Sequence, residues 1–222
     1  LASIERLART DQLTGAWNRR RLEEAVVNEM DRLKRYDHPL SLLLITIDGF
    51  KDLNAGQGHA AGDQLLAELA TVVQAHLRAT DALARWSDEQ FVVLCPNTTQ
   101  STAAVLAEQL REKVAWAVFT PVKTATVSIG VAECCTGETW EQWFNRADAA
   151  LFRARVAGRN QVQRAPEAAQ RTSVGENVAA NFVQLSWHAA YECGNAVIDG
   201  QHKALFGDAN QLLAAILSGR PH

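Results

Sequence analysis

The sequence predicts an α+β fold, an α/β sandwich in which a mixed central β-sheet is flanked by helices and followed by a C-terminal helical fragment. Three observations lead there. Segments with helical periodicity alternate with short apolar runs of strand length. Two of those runs are separated by only four polar residues, the spacing of a hairpin, while the others are joined through helices. The longest apolar stretch, Leu40–Ile47, is strand-sized and far short of the roughly 20 residues that span a bilayer. A chain of 222 residues has room for one domain of ordinary size with an ample core, plus a smaller piece.

Residues 1–10 carry Leu1, Ile4, Leu7 and Ala8 at helical spacing and read as the end of a longer upstream signalling helix. Asp11-Gln12-Leu13-Thr14-Gly15 breaks it. Asn18 is placed to cap a helix with Leu22, Val26, Met30 and Leu33 on one face, and His38-Pro39 ends that helix. Residues 40–48 form a buried strand, apolar almost throughout. Residues 49–62 read as a glycine-bearing bend, followed by a long helix with the stripe Leu65, Leu66, Leu69, Val72, Val73 and Leu77. Residues 82–86 and 91–95 are strands of a hairpin turning through Ser87-Asp88-Glu89-Gln90. Then come a helix over 101–117, a strand over 124–132, a helix over 139–156 stopped by Gly158, and a last short strand at 160–163. Residues 164–183, rich in Ala, Gln, Ser, Glu and Asn, read as a linker before a second piece at 184–222.

Bulk properties narrow the function classes. The formal net charge of −3 carries no basic field for nucleic acid, and nothing in the chain predicts membrane contact. Cys95, Cys134, Cys135 and Cys193 show no metal-ligand spacing. The adjacent pair suits neither zinc nor an easy disulfide, so free thiols in a reducing cytoplasm are expected. The chain starts at Leu1 without a signal peptide and reads as a piece of a longer cytoplasmic protein.

Motifs run the length of residues 11–163: the Asp11–Gly15 segment with Asn18-Arg19-Arg20; Ile47-Asp48-Gly49-Phe50-Lys51 with Asn54, Gly58-His59 and Gly62-Asp63; Thr126-Val127-Ser128-Ile129-Gly130; Ala147-Asp148 with Leu151-Phe152; and Gly158-Arg159-Asn160. Together they resemble the pattern of GGDEF (diguanylate cyclase) domains. The resemblance implies a nucleotidyl-cyclase-type, ferredoxin-like central sheet. It also implies a homodimer in which two GTP-loaded domains meet to form cyclic di-GMP by two phosphoryl transfers. In that family magnesium, a hard cation that wants oxygen ligands, is held by two carboxylates. One is the first Asp of a DxD motif, the other the third position of the signature.

Here both motifs depart from the pattern. Thr46 stands at the first carboxylate, and Asp48, two residues along on the same face, is the candidate replacement. Arg85 and Phe91 bracket the signature, and Trp86-Ser87-Asp88-Glu89-Gln90 replaces YGGDE. In that register Glu89 keeps the metal carboxylate, Gln90 loses the final acid, and Asp88 adds charge beside a polyphosphate. Sliding Asp88-Glu89 onto the acidic pair would reverse the faces of the flanking side chains, so the Arg85–Phe91 spacing favours the first register.

The resemblance further implies that Asn54 and Asp63 read the guanine edge, and that Phe50, Lys51, Arg155 and Arg159 surround the triphosphate. Taken alone, Asn54 would be a loop cap and Asp63 a helix N-cap. Arg78 and Asp81 match an inhibitory-site RxxD motif that binds cyclic di-GMP, and Gln109 stands where a further Arg often helps. Trp187, Tyr191, Gly194, the run 198–206, Asn210 and Leu213 look like the opening of a hemerythrin domain, with His202 at its first iron ligand. One helix cannot complete a di-iron site, so within this piece His202 is a polar residue on an amphipathic helix. The reading is a degenerate GGDEF domain of a cyclic di-GMP signalling protein, binding GTP or cyclic di-GMP with little cyclase activity. An active cyclase is the alternative, and the scaffold of a hemerythrin-type oxygen or redox sensor is another.

Overall fold

A computed structural model describes residues 9–166 and Ala204. The chain divides into two units, Leu1–Ala169 and Gln170–His222, and the sheet and its helices belong to the first. The element order is α1 (Arg19–Tyr36), β1 (Leu40–Ile47), α2 (Phe50–Gln57), α3 (His59–Gln74), β2 (Ala82–Arg85), β3 (Gln90–Pro96), α4 (Gln100–Trp116), β4 (Val127–Glu133), α5 (Trp140–Val156) and β5 (Val162–Arg164).

The sheet has the order β2-β3-β1-β4-β5. β1 lies antiparallel to both β3 and β4, β2 and β3 form the hairpin, and β5 runs parallel to β4. This is the mixed, helix-flanked sheet that the sequence predicts. β1 is buried along its whole length because both of its faces are covered. Its odd-numbered side chains, Leu43, Ile45 and Ile47, meet Leu65, Leu66 and Leu69 of α3 and Ala103, Ala107 and Leu110 of α4. Its even-numbered side chains, Leu42 and Leu44, meet Leu22, Val26 and Met30 of α1 and Trp143, Ala147 and Leu151 of α5. Thr46 continues the even set onto the α1/α5 face, and that period of two places the chemistry at the C-terminal end of the strand.

Three expectations need correction. Residues 49–62 are not a bend but two helices that meet at Gly58. Gly49, at φ 71°, lets β1 turn at once into α2, and Gly58, at φ 85° and ψ 163°, separates α2 from α3. α2 escapes periodicity analysis because it buries only Phe50. The strand expected over 124–132 starts at Val127, and residues 124–126 lie outside the strand; there Thr126 gives its carbonyl to the Asp48 amide at 2.9 Å. At the other end β5 reaches Arg164, where the linker was expected to begin, and Ala165 is buried with its amide on Val131 O.

The segment before α1 adds to the edge of the sheet. Trp17 donates to Leu83 O at 2.9 Å and accepts from the Arg85 amide at 2.8 Å, so it bridges β2 directly. Residues 1–8 and, Ala204 apart, residues 184–222, expected to be hemerythrin-like and including His202 and Cys193, lie outside the described residues.

Candidate functional site

The C-terminal end of β1 gathers the polar groups. Thr46 is 1% exposed, paired with Gln90 of β3 on one side and Ser128 of β4 on the other. Its hydroxyl donates to the Glu89 carbonyl at 3.5 Å. Asp48 turns the opposite way. Its carboxylate accepts from Ser128 Oγ at 2.7 Å, Thr126 Oγ1 at 2.8 Å and the Asn160 amide at 3.0 Å. Three donors on one carboxylate fix its orientation.

The signature hairpin is held by Arg85. Arg85 pairs with Phe91 across the β2–β3 ladder, and the Trp86 and Ser87 amides close the turn on Gln90 O at 2.9 and 3.3 Å. The Arg85 guanidinium donates to Ser87 O at 3.3 Å and Asp88 O at 3.2 Å, and pairs with the Asp11 carboxylate at 3.3 Å. The turn therefore carries a side-chain brace. Among the described residues, Ser87, Asp88 and Glu89 show no positive φ. Trp86 packs on Phe144 at 4.7 Å and edge-on to Trp140 at 5.8 Å, with the Arg19 guanidinium over its ring at 4.1 Å. Ser87 Oγ and Gln90 Oε1 lie 3.4 Å apart, and the half-exposed Glu89 carboxylate makes no hydrogen bond among the described residues.

Asp11 ties the same hairpin to the chain before α1. Burial pushes its carboxyl up, but hydrogen bonds from Thr14 and the Arg85 charge outweigh that and hold it below the usual value.

Next to β1, the side chain of Asn54 on α2 lies across Gly62 of α3. A Cβ at Gly62 would stand 2.0 Å from Asn54 Oδ1, so only glycine permits this approach. Asn54 Oδ1 is buried and has no hydrogen-bond partner among the described residues. A buried acceptor without a donor costs about 1–3 kcal/mol, which a ligand N–H would relieve. Asp63 is exposed one residue further on, inside α3 and not at its N-cap. Phe50 is buried in the core, so its side chain forms a wall behind Asn54 and makes no polar contact. Lys51, Arg155 and Arg159 are exposed, and their side chains make no hydrogen bond among the described residues.

The RxxD pair closes on itself. Asp81 is 8% exposed, and its carboxylate accepts from the Arg78 amide at 3.1 Å while its own amide donates to Arg78 O at 3.0 Å. The Arg78 side chain is exposed, as is Gln109 on α4. The geometry is that of a capped turn after α3 whose acid faces inward.

Comparison with known proteins fits this arrangement. Residues 8–161 match the family described as diguanylate cyclase, GGDEF domain. The chain belongs to the GGDEF family. It is 38% identical over 159 residues to diguanylate cyclase DgcM of Escherichia coli (strain K12), covering 72% of this chain and 39% of DgcM. It is 39% identical over 162 residues to the response regulator PleD of Caulobacter vibrioides (strain NA1000 / CB15N), covering 70% of this chain and 36% of PleD. The chain thus spans well under half the length of these relatives. Among solved structures, the coiled coil and GGDEF domain of DgcB from Caulobacter crescentus, in complex with c-di-GMP, superposes with a TM-score of 0.70. That alignment is 29% identical and covers 74% of this chain and 89% of that one. The match ends at residue 161. No helix among the described residues is long and apolar enough to cross a membrane.

Within this GGDEF domain the structure gives roles to residues that the motifs contain but motif reading leaves without one. Thr126 and Ser128 clamp Asp48, Asn160 joins them through its backbone, and Asp11 braces Arg85. Ser128 carried a usable signal: a polar side chain inside an apolar strand, whose burial demands a partner. Asp11 carried none beyond its place in a motif.

Proposed function

We propose that this is a regulatory GGDEF domain of a cyclic di-GMP signalling protein, one that binds GTP or cyclic di-GMP and has little or no cyclase activity of its own. The observation that carries the reading is Thr46. Where the family's pattern has a carboxylate, this chain buries a neutral hydroxyl that is turned to the Glu89 carbonyl. Asp48 does not replace it, because its carboxylate already takes three donors on the β4 side. A magnesium ion held in the family's way needs two anionic oxygens, and this site supplies one, on Glu89. Among the described residues no three His, Cys, Asp or Glu side chains group to hold a metal. The donor set does not fit the family's magnesium site.

The nucleotide half is better furnished. The unpartnered Asn54 Oδ1 suits an N–H donor of a guanine edge, with Asp63 exposed nearby on α3 for a second contact. Lys51, Arg155 and Arg159 supply exposed positive charge that forms no salt bridge among the described residues, although the Arg155 charge is felt by Asp148. Homodimerisation and a cytoplasmic setting belong to the same proposal.

Calorimetric titration of GTP and of cyclic di-GMP, each with and without magnesium, tests it. Binding that is little changed by magnesium, without turnover, is expected. In Thr46→Asp, magnesium is expected to tighten GTP binding at least tenfold, the effect of a restored carboxylate ligand. A Thr46→Asp protein indistinguishable from the native one would overturn the reading. The second reading, a working cyclase, is favoured by the unengaged Glu89 carboxylate. Conversion of GTP to cyclic di-GMP that is abolished in Glu89→Ala would establish it.

A further inference from the structure

We propose that Arg111, on the body of α4 and with no place in any nucleotide motif, is a positioning residue for the polyphosphate end of this site, acting through Asn160. The inference rests on the nucleotide-binding reading above and extends it.

The loop after α5 is conformationally unusual. Gly158, Arg159 and Asn160 have φ of 115°, 62° and 44°, three consecutive residues in the left-handed region. For the two non-glycine residues that geometry is unfavourable, and it persists only where neighbours fix it. Two neighbours do so at Asn160. Its amide donates to Asp48 Oδ2 at 3.0 Å, tying the loop to the end of β1. Its Oδ1 accepts from Arg111 Nη1 at 3.0 Å, tying the loop to α4.

Arg111 is built to hold that position. Its side chain is 17% exposed, and Glu108 one turn earlier takes Nε at 2.8 Å and Nη2 at 2.5 Å. The Glu108 hydrogen bonds, outweighing burial, raise the guanidinium pKa, so its charge is permanent. The third nitrogen, Nη1, is left for Asn160. A planar fork fixed on one side by a carboxylate sets the direction of its remaining donor.

What the clamp aims is Arg159. Its side chain is exposed and makes no hydrogen bond among the described residues, while its amide is pinned to Ala154 O at 3.0 Å. The backbone on both sides being fixed, the left-handed φ of Arg159 sets the direction in which its side chain leaves the loop. Asp48, the other anchor, immediately precedes Gly49 and the start of α2, so the loop is registered against the segment carrying Lys51 and Asn54. Without the Arg111 contact Asn160 keeps one anchor of two, and Arg159 samples directions that miss a polyphosphate.

The test measures affinity for GTP and for guanosine on the full chain, in native protein, Arg111→Met, Asn160→Gly, Arg159→Ala and the Arg111→Met/Arg159→Ala double variant. Arg111→Met keeps the apolar stem, and Asn160→Gly keeps the left-handed backbone while deleting the acceptor. Both are expected to weaken GTP about tenfold, the equivalent of one charge-assisted hydrogen bond, and to leave guanosine unchanged. The double variant is expected to bind GTP no more weakly than Arg159→Ala alone, because Arg111 acts only through Arg159. Equal weakening of guanosine and GTP, or additive losses in the double variant, would reduce Arg111 to a structural tie and overturn the proposal. Native protein that prefers GTP over guanosine, with Arg111→Met unchanged, refutes the positioning role and leaves nucleotide binding standing. Native protein that binds neither ligand refutes both.

Discussion

Replacing Asp11 with Ala isolates the brace on the signature hairpin. The substitution removes the acceptor of the Thr14 amide at 2.9 Å and of Thr14 Oγ1 at 2.7 Å, and strips the Arg85 guanidinium of its carboxylate. Both partners are mostly covered, with 23% and 17% of their side chains exposed, so the pair is worth more than a surface ion pair. Two part-exposed hydrogen bonds at a net of about 0.5–1 kcal/mol each and one part-buried pair at about 1 kcal/mol sum to about 2–3 kcal/mol. A double-mutant cycle with Arg85→Met is expected to assign about 1 kcal/mol of that to the Asp11–Arg85 coupling. Urea unfolding followed by tryptophan fluorescence measures both, since Trp86 follows Arg85 directly. pH supplies a second handle. The Asp11 carboxyl is held below its unfolded value, so its contribution is complete above an unfolded pKa of about 3.9 and disappears as pH falls through the lower folded value. The native protein and Asp11→Ala should therefore differ by a constant amount from pH 7 to about 5 and converge in stronger acid. A loss under about 0.5 kcal/mol at pH 7, or a gap that widens on acidification, would refute the account of the brace.

Packing and thiol burial give two more expected outcomes. Gly130→Ala would place a Cβ 2.2 Å from Ala147 O and 2.4 Å from Leu151 N, backbone atoms of α5 that cannot swing aside. A destabilisation of about 3 kcal/mol is expected in calorimetric melting, and a value under about 1 would show that α5 gives way. Burial pushes the Cys95 thiol up, and burial with the nearby Glu138 charge pushes Cys134 up to about 12. In a Cys193→Ser chain a thiol-specific disulfide reagent at pH 8 should label only the half-exposed Cys135 until urea is added, and native labelling of Cys95 or Cys134 would contradict their placement.

How much of this was legible in the sequence depended on the range of each interaction. The β2–β3 hairpin could be read because its partners are close in the chain, and the Arg85–Phe91 pair is separated by one short turn. β1 could be read because burial on both faces leaves a continuous apolar run. α2 could not, since eight residues that bury one phenylalanine leave no periodic trace. Asp48 shows the limit most clearly. Alternation along a strand places it on the same face as Thr46, and its contact with Ser128, the cross-strand partner of Thr46, agrees. Yet β1 ends at Ile47, and Gly49 bends the chain at φ 71° immediately afterwards. Which way the carboxylate turns is then decided by donors 78, 80 and 112 positions away, at Thr126, Ser128 and Asn160. Thr46 leans toward the hairpin and Asp48 toward β4, so the acid that proximity in sequence offers as a replacement for Thr46 is drawn away by partners that only the fold supplies. A residue's type sets what it can bind, but at the end of a strand the long-range donors settle what it does bind. That is why the same Asp48 serves this site as an anchor for the Arg159 loop.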